Sequence, residues 1–172
     1  EGDPPTGIVD ADLAYDYFGD TYDFYFNHYG RDSIDDVGMT IRATVRYGVG
    51  YQNAFWSGDL QRMVFGDGFV ADDVVGHELT HGVTSYESAL IYQNQSGAIN
   101  EAFSDIWGEF IDLENGAGTD TPAVRWLAGE DLPIGAIRSL ADPPAYGLPD
   151  RMSSEYWYSG DGDYGGVHYN MG

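Results

Sequence analysis

The stretch that decides the fold runs from Asp72 to Trp107. It opens Asp72-Asp73-Val74-Val75-Gly76-His77-Glu78-Leu79-Thr80-His81, and after a polar turn continues Gly97-Ala98-Ile99-Asn100-Glu101-Ala102-Phe103-Ser104-Asp105-Ile106-Trp107. His77 and His81 are four residues apart, so on a helix their imidazoles leave one face a turn apart, a spacing suited to a shared divalent metal. Glu78 lies between them. The His-Glu-x-x-His pattern alone is a modest signal and needs a third ligand in the right place. Tyr92-Gln93-Asn94-Gln95-Ser96-Gly97 reads as a reversal between two helices. In the second helix Ile99, Ala102, Phe103, Ile106, Trp107 and Phe110 recur at three- and four-residue intervals, predicting an inward apolar side, with Glu101, Asp105, Glu109 and Asp112 in a different pattern. An antiparallel helix pair can then bring Glu101 to the two histidines and complete a zinc site whose fourth position is left to water. Asp105, one turn on, is placed to accept the free ring N–H of a histidine.

The net charge of −22, from 29 acidic residues against seven arginines and no lysine, argues against nucleic acid as a partner. It fits either plain solubility or life in high salt, where counterions screen self-repulsion. The absence of cysteine rules out disulfide staples, and no apolar run is long enough to cross a membrane. The chain is long enough for one domain with a real core, or for two small lobes sharing a cleft. Its start, Glu1-Gly2-Asp3-Pro4-Pro5, reads as a mature or excised portion, with residues 1–7 as a tether.

Asp10 is predicted to cap a helix to about Asn27, with one stripe of Leu13, Tyr17, Thr21 and Tyr25 and another of Ala14, Phe18, Tyr22 and Phe26. His28 at its end reads as a partner of the helix dipole. Alternation over residues 39–47 predicts a half-buried strand, and residues 51–65 a hairpin turning at Ser57-Gly58-Asp59. Residues 114–122 read as loop, Arg138 as the start of a short helical piece, and residues 142–150 as a rigid proline-bearing loop. Tyr156, Trp157, Tyr158 and Tyr164 form an aromatic cluster, either a sugar platform or packing beneath a loop.

These blocks together strongly resemble the thermolysin-like neutral metalloproteases: His77 to His81, Gly97 to Asp105, Asn53-Ala54-Phe55-Trp56, Tyr92, Arg138 to Pro143, and Asp163-Tyr164-Gly165-Gly166-Val167-His168. The resemblance implies an α+β fold, an antiparallel β-sheet lobe packed on an active-site helix pair. It divides the chain into a partial sheet lobe, residues 1–71, and the metal helices with the start of a helical lobe, residues 72–172. The early β-rich region and most of the helical lobe would be missing, so a further segment or second chain is expected to complete the fold. It implies a secreted zinc endopeptidase preferring bulky apolar residues on the amine side of the cut, acting on peptide or protein. Val74, Ala128, Leu132 and Ile137 are the implied walls.

By the same resemblance zinc is held by His77, His81 and Glu101, and Glu78 is the general base. Tyr92 and His168 stabilise the oxyanion, Asp163 orients His168, Arg138 grips a substrate carbonyl, and Asn53 and Ala54 hold the peptide as an added strand. Asp73, Asp112 and Glu130 match calcium ligands, and one ion is expected because Arg125 and Leu127 replace acidic residues of the pattern; a solvated acidic face is the plainer reading. The rival functions are a zinc-binding scaffold without turnover and an adhesive or carbohydrate-active module.

Overall fold

A computed structural model describes residues 4–119 and 121–172 of the chain. Residues 1–3 of the expected tether, and Asp120 in the expected loop, lie outside the described residues. The nearby Thr6 and Gly7 are tied down, donating their amides to the Asp12 carboxylate at 2.7 and 3.0 Å.

Helix α1 spans Val9–Tyr29. It is entered through Ile8 without a side-chain cap, so Asp10 does not cap it. Asp10 is buried instead and accepts from Arg46 Nε at 3.0 Å. The helix ends at Gly30, whose left-handed backbone lets its amide donate to Phe26 O at 2.9 Å, while Arg31 N reaches Tyr25 O. Its buried side comprises Ala14, Phe18, Thr21, Phe24 and Tyr25, narrower than predicted. Phe26 is exposed and stacks on Tyr22. His28, in the last turn, pairs with Glu114 at 2.6 Å.

The three-stranded sheet has the order β1-β3-β2, with β1 Ala43–Thr44, β2 Ala54–Ser57 and β3 Arg62–Phe65. The β2–β3 hairpin is antiparallel as the sequence predicts; β1 runs parallel to β3. Of the alternating stretch 39–47 only two residues form ladder, because β3 offers that side a short register, Ala43 with Met63 and Thr44 with Val64. Met63, Val64 and Phe65 are buried, as a central strand requires. β2 stands at the edge, one side of its backbone unpaired with any strand among the described residues.

Helices α2, Asp72–Tyr86, and α3, Asn94–Asn115, form the centre. Every residue of α2 from Asp72 to Thr84 is buried. α3 overturns an expectation: Ile99, Phe103 and Phe110 are exposed, while Asn100, Glu101, Ser104, Asp105, Glu109 and Asp112 are buried. Its polar stripe faces inward because the groups that can neutralise it or donate hydrogen bonds to it lie there: His77, His81 and Arg138. Apolar residues could not provide that.

Two glycines set how near the helices come. A Cβ on Gly108 would lie 2.5 Å from the Asp73 carbonyl oxygen, and one on Gly76 would lie 3.1 Å from Gly108 Cα. Beyond α3, β4 Leu127–Ala128 pairs antiparallel with β5 Arg138–Ser139. Arg138 is therefore a strand residue and not the start of a helix. Pro143–Tyr146 makes a 3-10 turn inside the proline-bearing loop, and a last turn, α4, covers Asp163–Gly166.

Gly108→Ala should force the helices apart, lowering stability by about 1–3 kcal/mol in denaturant melts, as overpacking of a close contact does. A stability equal to the unaltered chain would show that the close approach is not required.

Candidate metal centre and catalytic cleft

α2 presents His77 and His81 one turn apart, and α3 presents Glu101 opposite them. His77 Nε2 lies 3.3 Å from Glu101 Oε2, His81 Nε2 3.3 Å from Glu101 Oε1, and the two Nε2 atoms 2.9 Å from each other. One donor atom from each residue falls within 4.8 Å of the others. Two imidazole nitrogens and a carboxylate oxygen are a donor set zinc accepts with one position open.

The far side of each ring is held. His77 Nδ1 meets Asp105 Oδ1 at 2.8 Å, and His81 Nδ1 meets Asn100 Oδ1 at 2.8 Å, with Ser104 Oγ at 3.1 Å. Such contacts fix the tautomer and aim Nε2 at the site. Asp105 in turn accepts from Arg138 Nε at 2.7 Å and Nη2 at 2.6 Å. Asn100 was not singled out from the sequence; its place directly before Glu101 is the signal that could have found it, since that offset turns it toward α2.

The electrostatics ask for positive charge. Burial pulls the His77 imidazole down, yet Asp105 and Glu101 more than offset this and raise its pKa to about 10. Burial pushes the Glu101 carboxyl up, and the two imidazoles outweigh it, holding the group well below the usual range. A cation among these donors meets the same demand. Glu78 is 5% exposed, lines the cleft, and has one carboxylate oxygen, Oε2, with no hydrogen-bond partner among the described residues. Burial raises its pKa; His77 and His81 oppose this.

On the opposite wall Tyr92 donates its hydroxyl to Glu101 Oε1 and lies 3.1 Å from His168 Nε2. His168 Nδ1 is 2.7 Å from Asp163 Oδ1, and its backbone N–H donates to Asp163 Oδ2 at 2.6 Å. His168 Nε2 reaches within 3.4 Å of Glu101 Oε1. The structure thus gathers Glu78, Tyr92, His168 and Asp163 around the histidine pair. All of them except Asp163 line one cleft of about 510 Å³, together with Asn53, Ala54 and Trp56 from the edge strand and Arg138 from β5. Phe69, Val74, Ala128 and Ile137 supply apolar wall, and Leu132 is buried in the adjoining core.

The second acidic group departs from the expected one. Asp73 and Glu130 converge with Glu109, one carboxylate oxygen of each within 4.8 Å of the others. Asp112, buried one turn further along α3, is outside this set, because Glu109 is the α3 carboxylate that projects toward the start of α2. Gly129 N–H donates to Asp73 Oδ2, and Trp126 N–H to Glu109 Oε2 at 3.1 Å, so the loop before β4 folds over the cluster. Glu109 Oε1 and Glu130 Oε2 are buried without a hydrogen-bond partner among the described residues. Burial, followed by the neighbouring carboxylates, raises Asp73 to about 6, Glu109 to about 7 and Glu130 to about 8.

Residues 4–85 match the model of the thermolysin metallopeptidase catalytic domain, and residues 88–172 that of the thermolysin metallopeptidase alpha-helical domain. The chain is 40% identical to a zinc metalloproteinase of Renibacterium salmoninarum, covering all of this chain and 35% of that protein. It is 42% identical to an extracellular metalloprotease of Pectobacterium carotovorum, again over its whole length and 54% of the relative. Among solved structures, the precursor of protealysin, a metalloproteinase from Serratia proteamaculans, superposes with a TM-score of 0.84 at 39% identity, over 99% of this chain and 58% of that one. The chain therefore spans about a third to about half the length of these curated relatives. With matches that run through both helices of the metal centre and nearly end to end, the chain belongs to the thermolysin metallopeptidase family.

Proposed function

We propose that this chain carries the catalytic centre of a secreted zinc endopeptidase. The observation that supports it most is the convergence of His77, His81 and Glu101 beside a buried Glu78 whose Oε2 is free to take a proton. Zinc bound by the three supplies a Lewis acid and lowers the pKa of a coordinated water. Glu78 accepts the proton of the attacking water and returns it to the departing amine, a shuttle suited to a carboxyl whose pKa burial has raised. Tyr92 and His168, the latter as the imidazolium, donate O–H and Nε2–H to the oxyanion of the tetrahedral intermediate. Asp163 holds the opposite ring nitrogen, so that His168 offers this donor in a fixed direction.

The peptide lies along the open edge of β2, where main-chain hydrogen bonds, with Asn53 and the Ala54 carbonyl among them, bind without reading sequence. Arg138, anchored by Asp105, faces a substrate carbonyl, and the wall of Phe69, Val74, Ala128 and Ile137 takes a bulky apolar side chain on the amine side of the cut. In this reading the lobes 1–71 and 72–172 supply the two sides of the cleft. Secretion is supported by the extracellular metalloprotease among the relatives.

Calcium is the second cofactor of this reading, one ion at Asp73, Glu109 and Glu130, where hard oxygen donors crowd together and two buried oxygens lack partners. The exposed stripe of Ile99, Phe103 and Phe110 on α3 is covered by a further segment or a second chain. Gel filtration with mass spectrometry tests this: a stable soluble monomer of the 172 residues alone rejects it.

Casein cleavage should be abolished by a zinc chelator. Glu78→Gln should keep stoichiometric zinc and lose cleavage; retained activity would place the base elsewhere. His168→Ala should slow turnover by about 10²–10³ and spare the metal; loss of zinc would contradict its assigned role.

The carboxylates at the proposed calcium site give a pH dependence. Without calcium their folded pKa values, about 6 to 8, lie above the unfolded carboxylate range, so in between the native chain binds more protons than the unfolded one. The stabilisation is present below that window and lost as pH rises through it, with Asp72, Asp105 and Asp131 adding to the repulsion. In zinc-loaded protein stripped of calcium, denaturant melts should show stability falling from about pH 4.5 to 8, and calcium should restore it. Glu109→Gln should remove most of the calcium effect; a calcium response untouched by that change contradicts the site.

A further inference from the structure

The turn that carries His168 winds the wrong way for most side chains. Asp163 and Tyr164 both have φ of 51°, followed by Gly165 at 85° and Gly166 at 87°. The glycines suit this: a Cβ on Gly165 would lie 2.0 Å from Asn94 Oδ1, and one on Gly166 2.7 Å from Asn170 Nδ2. Asp163 tolerates it, since its carboxylate accepts two hydrogen bonds from His168. Tyr164 has neither excuse. A bulky residue with positive φ is disfavoured by the approach of its Cβ to the backbone, and asparagine or glycine would sit there more easily.

Tyr164 gains little from packing in return. Its side is 67% exposed, and among the described residues its ring has one aromatic neighbour, Tyr92, at 5.9 Å between centroids and 71° between planes. It nevertheless lines the cleft, beside Tyr92 and His168. We infer that Tyr164 is a substrate-binding residue, its strained backbone holding an aromatic face in the cleft against a bulky apolar or aromatic side chain of the bound peptide. The inference rests on the reading of the cleft as a peptide site. The strain and the geometry of the pair serve one end: the turn that orients His168 for the oxyanion also fixes Tyr164 against Tyr92, so side-chain binding and donor placement are set together. An apolar side chain laid across the two edge-to-face rings gains contact with both, whereas glycine at the same place gains from neither.

The test is a set of peptides bearing phenylalanine, leucine or glycine at each position around the cut, read as kcat/KM for the full-length zinc-loaded enzyme. Tyr164→Asn should lower the ratio of bulky apolar to glycine substrates about three- to tenfold at one position. Tyr164→Phe should keep that ratio, zinc content should not change, and Tyr164→Asn should melt no lower than the unaltered protein. A ratio unchanged at every position, or Tyr164→Phe behaving like Tyr164→Asn, overturns the assignment; so does a lowered melting point, which would mean the ring serves the fold. Calorimetric binding of the same peptides to Glu78→Gln repeats the comparison without turnover. Cleavage without dependence on Tyr164 defeats this inference alone, and Tyr164-dependent binding without cleavage by the unaltered enzyme defeats the peptidase reading alone.

Discussion

The acidic stripe of α3 is buried against α2, and the rest of the molecule is arranged to make that possible. Glu101, Asp105, Glu109 and Asp112 occupy the inner side of one helix in a chain with net charge −22. Burying a carboxylate costs several kcal/mol unless positive charge or hydrogen-bond donors come with it. Glu101 has two imidazoles, Asp105 an imidazole and a guanidinium, and Glu109 a backbone N–H with one oxygen left over. The stripe therefore gathers donor sets that could hold a cation in two places: between the helices at the histidines, and where α3 passes the start of α2.

From that constraint the neighbouring elements follow. Gly76 and Gly108 let the helix backbones approach closely enough for a carboxylate on one to share donors with the other. The β4–β5 hairpin delivers Arg138 to Asp105, which links the cleft wall to the orientation of His77. Asp105 thus bridges Arg138 in the cleft wall to His77 Nδ1 through two contacts. The left-handed turn at Asp163 closes the remaining side with His168.

The convergence of His77, His81 and Glu101 was legible because helical spacing is rigid: four residues separate His77 from His81, and one turn separates Glu101 from Asp105. The hairpin was legible because Ser57-Gly58-Asp59 punctuates two apolar runs. The face of α3 was not. Periodicity shows that two stripes exist, but not which of them meets a partner, and here electrostatics inside the chain outweighs the usual preference of Ile99, Phe103 and Phe110 for the interior. Spacing does not say whether Glu109 or Asp112 lies with Asp73 and Glu130, because both lie near the same helix side; in the structure Glu109 does, under the loop crossing at Trp126. The short β1 and the strand at Arg138 depend on partners distant in sequence, which local alternation does not register.

X-ray absorption at the zinc edge, on protein purified with its metal, tests the central claim most directly. The account predicts one zinc per chain with two imidazole nitrogens and carboxylate oxygen at about 2.0–2.1 Å, the imidazole signal falling by half in His81→Ala. A spectrum without paired imidazoles, or a folded chain that takes up no zinc, would contradict it.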